Sequence, residues 1–302
     1  PITPHLRAID AIYPMDRTFE EAREGGVTTV CTGPGSANVI GGIFSTIKTY
    51  GHRIDDMIIQ ETAALKIAFG ENPKRTYSNQ KKSPSTRMAT AAMLREQLFK
   101  AKIYKEKLEK ADIDKKPDYD MKLEPLVKVL NKEIPLKAHA HRTDDIFTAL
   151  RIAKEFDVNI TLDHCTEGHL IIEDLLKENK YIISGPQLTE RSKYELKNKT
   201  FKSPAMMSRA GLKVAITTDH PVVPIQYLSM CAGLAVKDGM DEMEALKAIT
   251  INAAEVLGLK ERLGSLEVGK DADIAIFDGH PFDVTSKSTV VLIDGEVVFQ
   301  RD

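Results

Sequence analysis

Two short apolar runs end on histidine: residues 134–141 read IPLKAHAH and residues 159–165 read NITLDHC. A third run, 214–220 (VAITTDH), ends on Asp219 and His220. A continuous apolar run reads as a buried parallel strand, and an α/β barrel collects its chemistry at the C-terminal ends of such strands. Neutral imidazole nitrogens and carboxylate oxygens are the ligands that zinc and similar divalent ions take. His139 and His164, on consecutive strands, could therefore hold one metal. Asp219 could join that ligand set and move a proton between water and a leaving group. His141 lies two residues beyond His139, on the same side of an extended strand. It is assigned to the substrate, together with Arg142 and His220. A strand-end histidine taken singly is often a hydrogen-bonded structural residue; three polar strand ends in one series carry the case for a site.

A further ligand would come from residues 63–74 (AALKIAFGENPK). Glu71, just past the run, is the natural carboxylate. Lys66 is the alternative, because a barrel lysine carboxylated on its amine can bridge two metals. Glu71 needs no modification and is preferred; a buried unmodified lysine is costly. Cys165 follows His164 directly, and a small side chain packed behind the site is its expected role rather than a ligand. His169 is expected to cap or face solvent. His5, His52 and His280 have no strand-end context.

Elements must place these groups. The chain has 302 residues, enough for a barrel-sized core. It is 42% hydrophobic and 28% charged, and its net charge of -2 offers no attraction for nucleic acid or an anionic membrane. No apolar run approaches the roughly 20 residues of a membrane span. The three cysteines, Cys31, Cys165 and Cys231, are scattered, which fits a reducing cytoplasm. A helix is expected over 16–25, a strand over 27–31, and a Gly-rich loop over 32–42 that lacks the pattern of a phosphate cradle. Strands are expected at 55–59 and 63–69, then a long amphipathic helix from Arg87 to about 111, a polar connection over 111–119 and a helix over 121–131. From the strand ending at His139–His141 the alternation is regular: helix 144–156, strand 159–164, helix 168–178, strand 181–184, helix near 203–210, strand 214–218 and helices 224–238 and 241–257. That alternation predicts a parallel sheet. The tail changes to short β-rich segments, 263–268 and 272–277, and a hairpin around Asp294-Gly295.

The strand ends at His139, His164 and Asp219, together with ITINAAEVLGLKERLGSLEVGKDADIAIFDGHPFD at 249–283, resemble the amidohydrolase superfamily. ITPHLRAIDAI, GVTTVCTGPGSANVIGG and LKIAFGENPKR are similar to its imidazolonepropionase-related members. The resemblance covers essentially the whole chain. It implies a (β/α)8 TIM-type barrel over 1–258, incomplete at its N-terminus, and a small composite β-sandwich module over 259–302. It also implies a centre of one or two divalent ions, zinc foremost, that activates water to cleave a C–N bond in a cyclic amide, a dipeptide or an N-acyl amino acid. In this frame His139 matches the strand-five ligand, His164 the strand-six ligand, Asp219 the strand-eight acid, and Glu71 or Lys66 the variable ligand. The family's first strand carries His-x-His, and no such pair precedes residue 139. The chain is thus expected to begin after that strand, to bind metal weakly and to have little activity. The alternative function is a non-catalytic barrel acting as a scaffold or binding protein, and a metal-dependent aldolase or isomerase is a weaker third. Arg142, with Arg87 or Lys74, is a candidate for holding a substrate carboxylate. The expected partner is a small-molecule substrate, with no nucleic acid or membrane and a possible homo-oligomer; the expected location is cytoplasmic.

Overall fold

A computed structural model describes residues 1–110 and 116–301. The expected connection over 111–119 therefore lies partly outside the described residues. Asp16 accepts from the Thr18 amide at 2.9 Å and caps α1 (Arg17–Glu24). Asp16→Ala is expected to lower stability measurably in chemical unfolding, because the Thr18 amide loses its acceptor. Strand β1 is Thr29–Thr32, and β2 is Ile40–Lys48, buried along its whole length. The sequence pattern read the start of β2 as loop because Gly41-Gly42 follows turn-forming residues. Gly42 serves a close approach instead: its φ is 137°, and an added Cβ would lie 2.5 Å from the Leu6 carbonyl oxygen. One turn of helix, α2 (Ile54–Met57), leads into an unbroken strand β3 (Ile58–Ala68) where two strands were expected. Its polar centre misled the reading. Glu61 points outward to Arg7 at 3.1 Å, while the Glu61 carbonyl accepts from Ser45.

Helix α3 (Glu71–Ser78) precedes α4 (Arg87–Lys110), which buries Leu94, Leu98, Ala101 and Tyr104. Met88, expected on that apolar face, is exposed. The Tyr104 hydroxyl donates to Glu124 at 2.7 Å and so ties α4 to α5 (Glu124–Leu130). The regular series follows: β4 (Leu136–Ala140), α6 (Thr143–Glu155), β5 (Ile160–His164), α7 (Ile172–Glu178), β6 (Ile182–Ser184), α8 (Lys202–Arg209) and β7 (Val214–Ile216). Then come α9 (Leu228–Lys237), α10 (Glu242–Ala248) and α11 (Ile251–Val256). The last two were expected as one helix. The break falls at Thr250, whose hydroxyl bonds back to the Leu246 carbonyl at 2.7 Å and competes with the helical ladder.

Strands β1 to β7 form one 7-stranded sheet in sequence order. β3 and β4 pair in parallel, with Lys66 opposite Lys137 and Ala68 opposite His139; β6 and β7 are also parallel. Sequential order with intervening helices is consistent with a TIM-like barrel. The opening residues contribute isolated bridges, Ile2 to Ile40 and Arg7 to Ile43. A separate 3-stranded antiparallel sheet closes the chain: β8 (Ile274–Phe277), β9 (Ser288–Ile293) and β10 (Glu296–Gln300), the last two joined at Asp294-Gly295 as expected. The expected strand over 263–268 forms bends and turns, with Leu266 and Val268 exposed.

By contact density the chain divides into Pro1–Ala11, Cys31–Ser45 and Gln60–Leu162 as one unit, and Ile12–Val30, Thr46–Ile59 and Asp163–Asp302 as another. In the first, α4 and α5 supply Leu94, Leu98, Leu126 and Val129 to the core. In the second, Ala205, Ala232, Ala235, Ala245 and Ala248 cluster with Ile216 and Met240, small side chains that let helices α8, α9 and α10 pack closely beside β7. The second unit also buries an ionic cluster. Lys48, 7% exposed, donates to Asp273 at 2.8 Å and to Asp271 at 3.1 Å, and Arg262 reaches Asp271 at 2.8 Å. Two of these carboxylates belong to the KDAD run of the tail. No helix among the described residues is long and apolar enough to cross a membrane.

Candidate metal centre

Strand alternation sends Leu136, Ala138 and Ala140 to one face of β4 and Lys137, His139 and His141 to the other. His139 and His141 are buried, and their rings meet edge to face with centroids 4.6 Å apart. His164, the last residue of β5, is also buried. His139, His141 and His164 each offer a ring nitrogen, and these atoms lie within 4.8 Å of one another. Among the described residues this is the group of three or more histidine, cysteine or acidic side chains suited to a metal ion.

The ring of His164 is held from behind. Its Nδ1 lies 2.7 Å from the Gly185 carbonyl oxygen, which fixes Nδ1 as the protonated nitrogen and so puts the ring's lone pair on Nε2. His164 itself takes φ 70° and Cys165 φ 45°, left-handed values uncommon for residues with a side chain. Gly185, at φ 130°, could carry no side chain without collision, because a Cβ would stand 2.3 Å from the Thr217 carbonyl oxygen. Gly185→Ala is therefore expected to shift the carbonyl behind His164 and to weaken zinc binding roughly 10–100-fold, measured by chelator competition.

Asn72, the second residue of α3, places its amide nitrogen 3.3 Å from His139 Nε2 and 2.7 Å from Ser36 Oγ. The sequence reading had passed over both Asn72 and Gly185. Asn72 stands beside Glu71, and the Gly185 backbone role leaves no side-chain signal. Ser36 lies in the Gly-rich segment over 32–42. Three imidazoles, one of them fixed by a backbone acceptor, form a donor set that suits a borderline ion such as zinc.

The structure brings His141, assigned from sequence to the substrate, into the group with His139 and His164. Asp219 and His220 are exposed residues beyond β7, and Asp219, at φ 52°, is outside the group. Glu71 is half-buried as the first residue of α3. Lys66 is buried in β3, with Nζ 5.4 Å from the Phe44 ring centroid; Lys137 Nζ lies 5.5 Å from the same ring. Glu71 is outside the three-histidine group, which draws on histidine, cysteine, aspartate and glutamate side chains. Arg142 precedes α6 and donates to both side-chain oxygens of Asp144 at 3.0 Å. Arg87 holds both oxygens of the buried Asp145 at 3.0 and 3.1 Å.

Burial pushes the Cys165 thiol up to about 12, so it stays protonated. Its sulfur fits against Gly168, where a Cβ would come within 2.7 Å, in keeping with a packing role. His169 lies in a short turn with Nδ1 at 3.2 Å from the Thr166 carbonyl, and burial lowers its pKa.

The model of the amidohydrolase family matches residues 13–298. An amidohydrolase from Thermotoga maritima MSB8 of known crystal structure superposes with a TM-score of 0.97 at 44% identity, covering 100% of this chain and 79% of that one. Amidohydrolase tasK of Hapsidospora irregularis is 27% identical over 323 residues, which span 99% of this chain and 33% of the relative. Imidazolonepropionase of Streptococcus pyogenes serotype M12 is 34% identical over 135 residues, 42% of this chain and 31% of the relative. The chain thus spans about a third of the length of these curated relatives.

Proposed function

The chain belongs to the amidohydrolase family, and from that premise we propose that it is a metal-dependent hydrolase of a C–N bond, with residues 1–258 as the (β/α)8-type barrel portion and 259–302 as an accessory β module. The observation that carries the reading is the buried group of His139, His141 and His164 with the His164 ring oriented by Gly185. Those three histidines would hold the ion. When bound, a divalent ion supplies Lewis acidity and an activated water. Asp219, exposed beyond β7, would serve as the acid–base residue that accepts a proton and returns one to the leaving nitrogen. His220, exposed beyond β7, and Arg142, whose guanidinium also holds Asp144, would orient the substrate.

A small-molecule amide is the proposed substrate, and the likeness to imidazolonepropionase supports a cyclic amide among the candidates. The test is elemental analysis of the purified chain followed by hydrolysis assays on a panel of lactams, dipeptides and N-acyl amino acids. With His141 joining His139 and His164, about one zinc-like ion per chain and chelator-sensitive turnover of a panel member are expected, against the weak binding and low activity expected from the sequence. A chain that takes up no divalent ion with its histidines intact would overturn the proposal.

A further inference from the structure

We propose that Gln187 selects the substrate by accepting a hydrogen bond from its amide N–H, an inference that rests on the hydrolase reading above. Gln187 follows the C-terminal end of β6, the end at which His164 closes the preceding strand. Only Pro186 separates it from Gly185, whose carbonyl holds His164. Its side chain is 8% exposed. The amide nitrogen donates to the buried Ser184 hydroxyl at 3.2 Å, while Oε1 is buried with no hydrogen-bond partner in the protein. Buried polar atoms are paired in the great majority of cases, and each exception requires a cause. At the end of a barrel strand, beside the backbone that orients a ligand, the cause is a donor that arrives with the substrate.

An acceptor of this kind discriminates. A secondary amide carries the N–H that satisfies Oε1, whereas its N-methyl counterpart leaves Oε1 unpaired and adds bulk. Secondary and cyclic N–H amides are therefore bound in preference to N-alkylated ones. The anchor on Ser184 keeps the side chain in place before substrate enters, so the effect falls on binding rather than on the chemical step.

The proposal is tested with the zinc-loaded chain and two variants, Gln187→Met and Gln187→Glu. The thermal midpoint of Gln187→Met is expected to stay close to that of the unaltered chain, since the substitution removes a buried unsatisfied acceptor along with the hydrogen bond to Ser184. A clear fall would mark Gln187 as a structural residue and overturn the idea. Paired lactams and N-acyl amino acids, each with its N-methyl counterpart, are then compared by calorimetric binding and by KM and kcat. The N–H member of each pair is expected to bind at least roughly tenfold more tightly to the unaltered chain. That gap should close in Gln187→Met through Kd and KM with kcat retained, and reopen in Gln187→Glu, which keeps an acceptor. A gap that persists in Gln187→Met, or its absence from the unaltered chain, overturns the proposal. If no panel member binds the zinc-loaded chain, the hydrolase reading is what fails, and the thermal midpoint still decides whether Gln187 is structural.

Discussion

On the proposed hydrolase reading, replacing His164 with alanine is expected to abolish zinc uptake and C–N hydrolysis. His164 offers one of three buried ring nitrogens within 4.8 Å of one another, and its Nδ1 is already committed to Gly185. Losing the ring removes a ligand itself, so the loss in metal affinity should exceed the roughly 10–100-fold that follows when only an outer partner is lost. A fall of at least roughly 1,000-fold in kcat/KM is expected, about 4 kcal/mol of transition-state stabilisation. The measurement is zinc content after dialysis against a weak chelator, beside steady-state assays. His139→Ala should behave alike, because its ring stands edge to face with that of His141 in the same group. Retention of stoichiometric zinc by His164→Ala would place the metal elsewhere.

Lys48→Met is expected to produce the largest loss of stability of any single replacement considered. The ammonium is 7% exposed and lies 2.8 Å from Asp273, 3.1 Å from Asp271 and 3.2 Å from Asp294. Removing it leaves carboxylates buried with Arg262 as the remaining cation at Asp271. Breaking a buried pair from one side costs roughly 3–5 kcal/mol, which should lower the melting temperature by on the order of 10 °C. Asp294 is 59% exposed, so Asp294→Asn should change little by comparison.

The pH dependence follows from the shifts. Burial opposes the charge on Lys48, but hydrogen bonds and charges from Asp273, Asp271 and Asp294 outweigh it and raise the pKa. Burial likewise pushes Asp271 up, and Arg262 with Lys48 outweigh that and hold it below the usual carboxylate range. A depressed carboxyl contributes stability that is present above its unfolded value and is lost as pH falls through the folded one; a raised ammonium contributes below its unfolded value and loses it as pH rises through the folded one. The difference between Lys48→Met and the unaltered chain should therefore be flat from about pH 5 to 9 and shrink below about pH 4. Urea unfolding across that range measures it.

Much of the β4-to-β7 half was legible because local signals agree with the fold there. Buried parallel strands read as apolar runs such as ITLDH, and helices such as α6 and α8 carry their own periodicity. The N-terminal half was harder. Gly41-Gly42 lies inside a buried strand because the backbone at Leu6 crosses it closely, a contact between residues far apart in sequence. The polar centre of β3 looks like a turn until Arg7 and Ser45 are seen to partner Glu61. The KDAD run was recognised as characteristic of a family tail, but its partner Lys48 sits more than two hundred residues earlier.

By itself the sequence determined which side chains end the strands, because strand periodicity and the turn residues after it are local properties. His139 and His164 could be named as candidate ligands on that basis. Tertiary structure decided which groups meet. It drew His141 into one group with His139 and His164 by the alternation of β4, set Asn72 against His139, and placed the Gly185 carbonyl behind His164. Those choices depend on strand register and on the left-handed backbone at the strand ends, neither of which any stretch of sequence encodes alone.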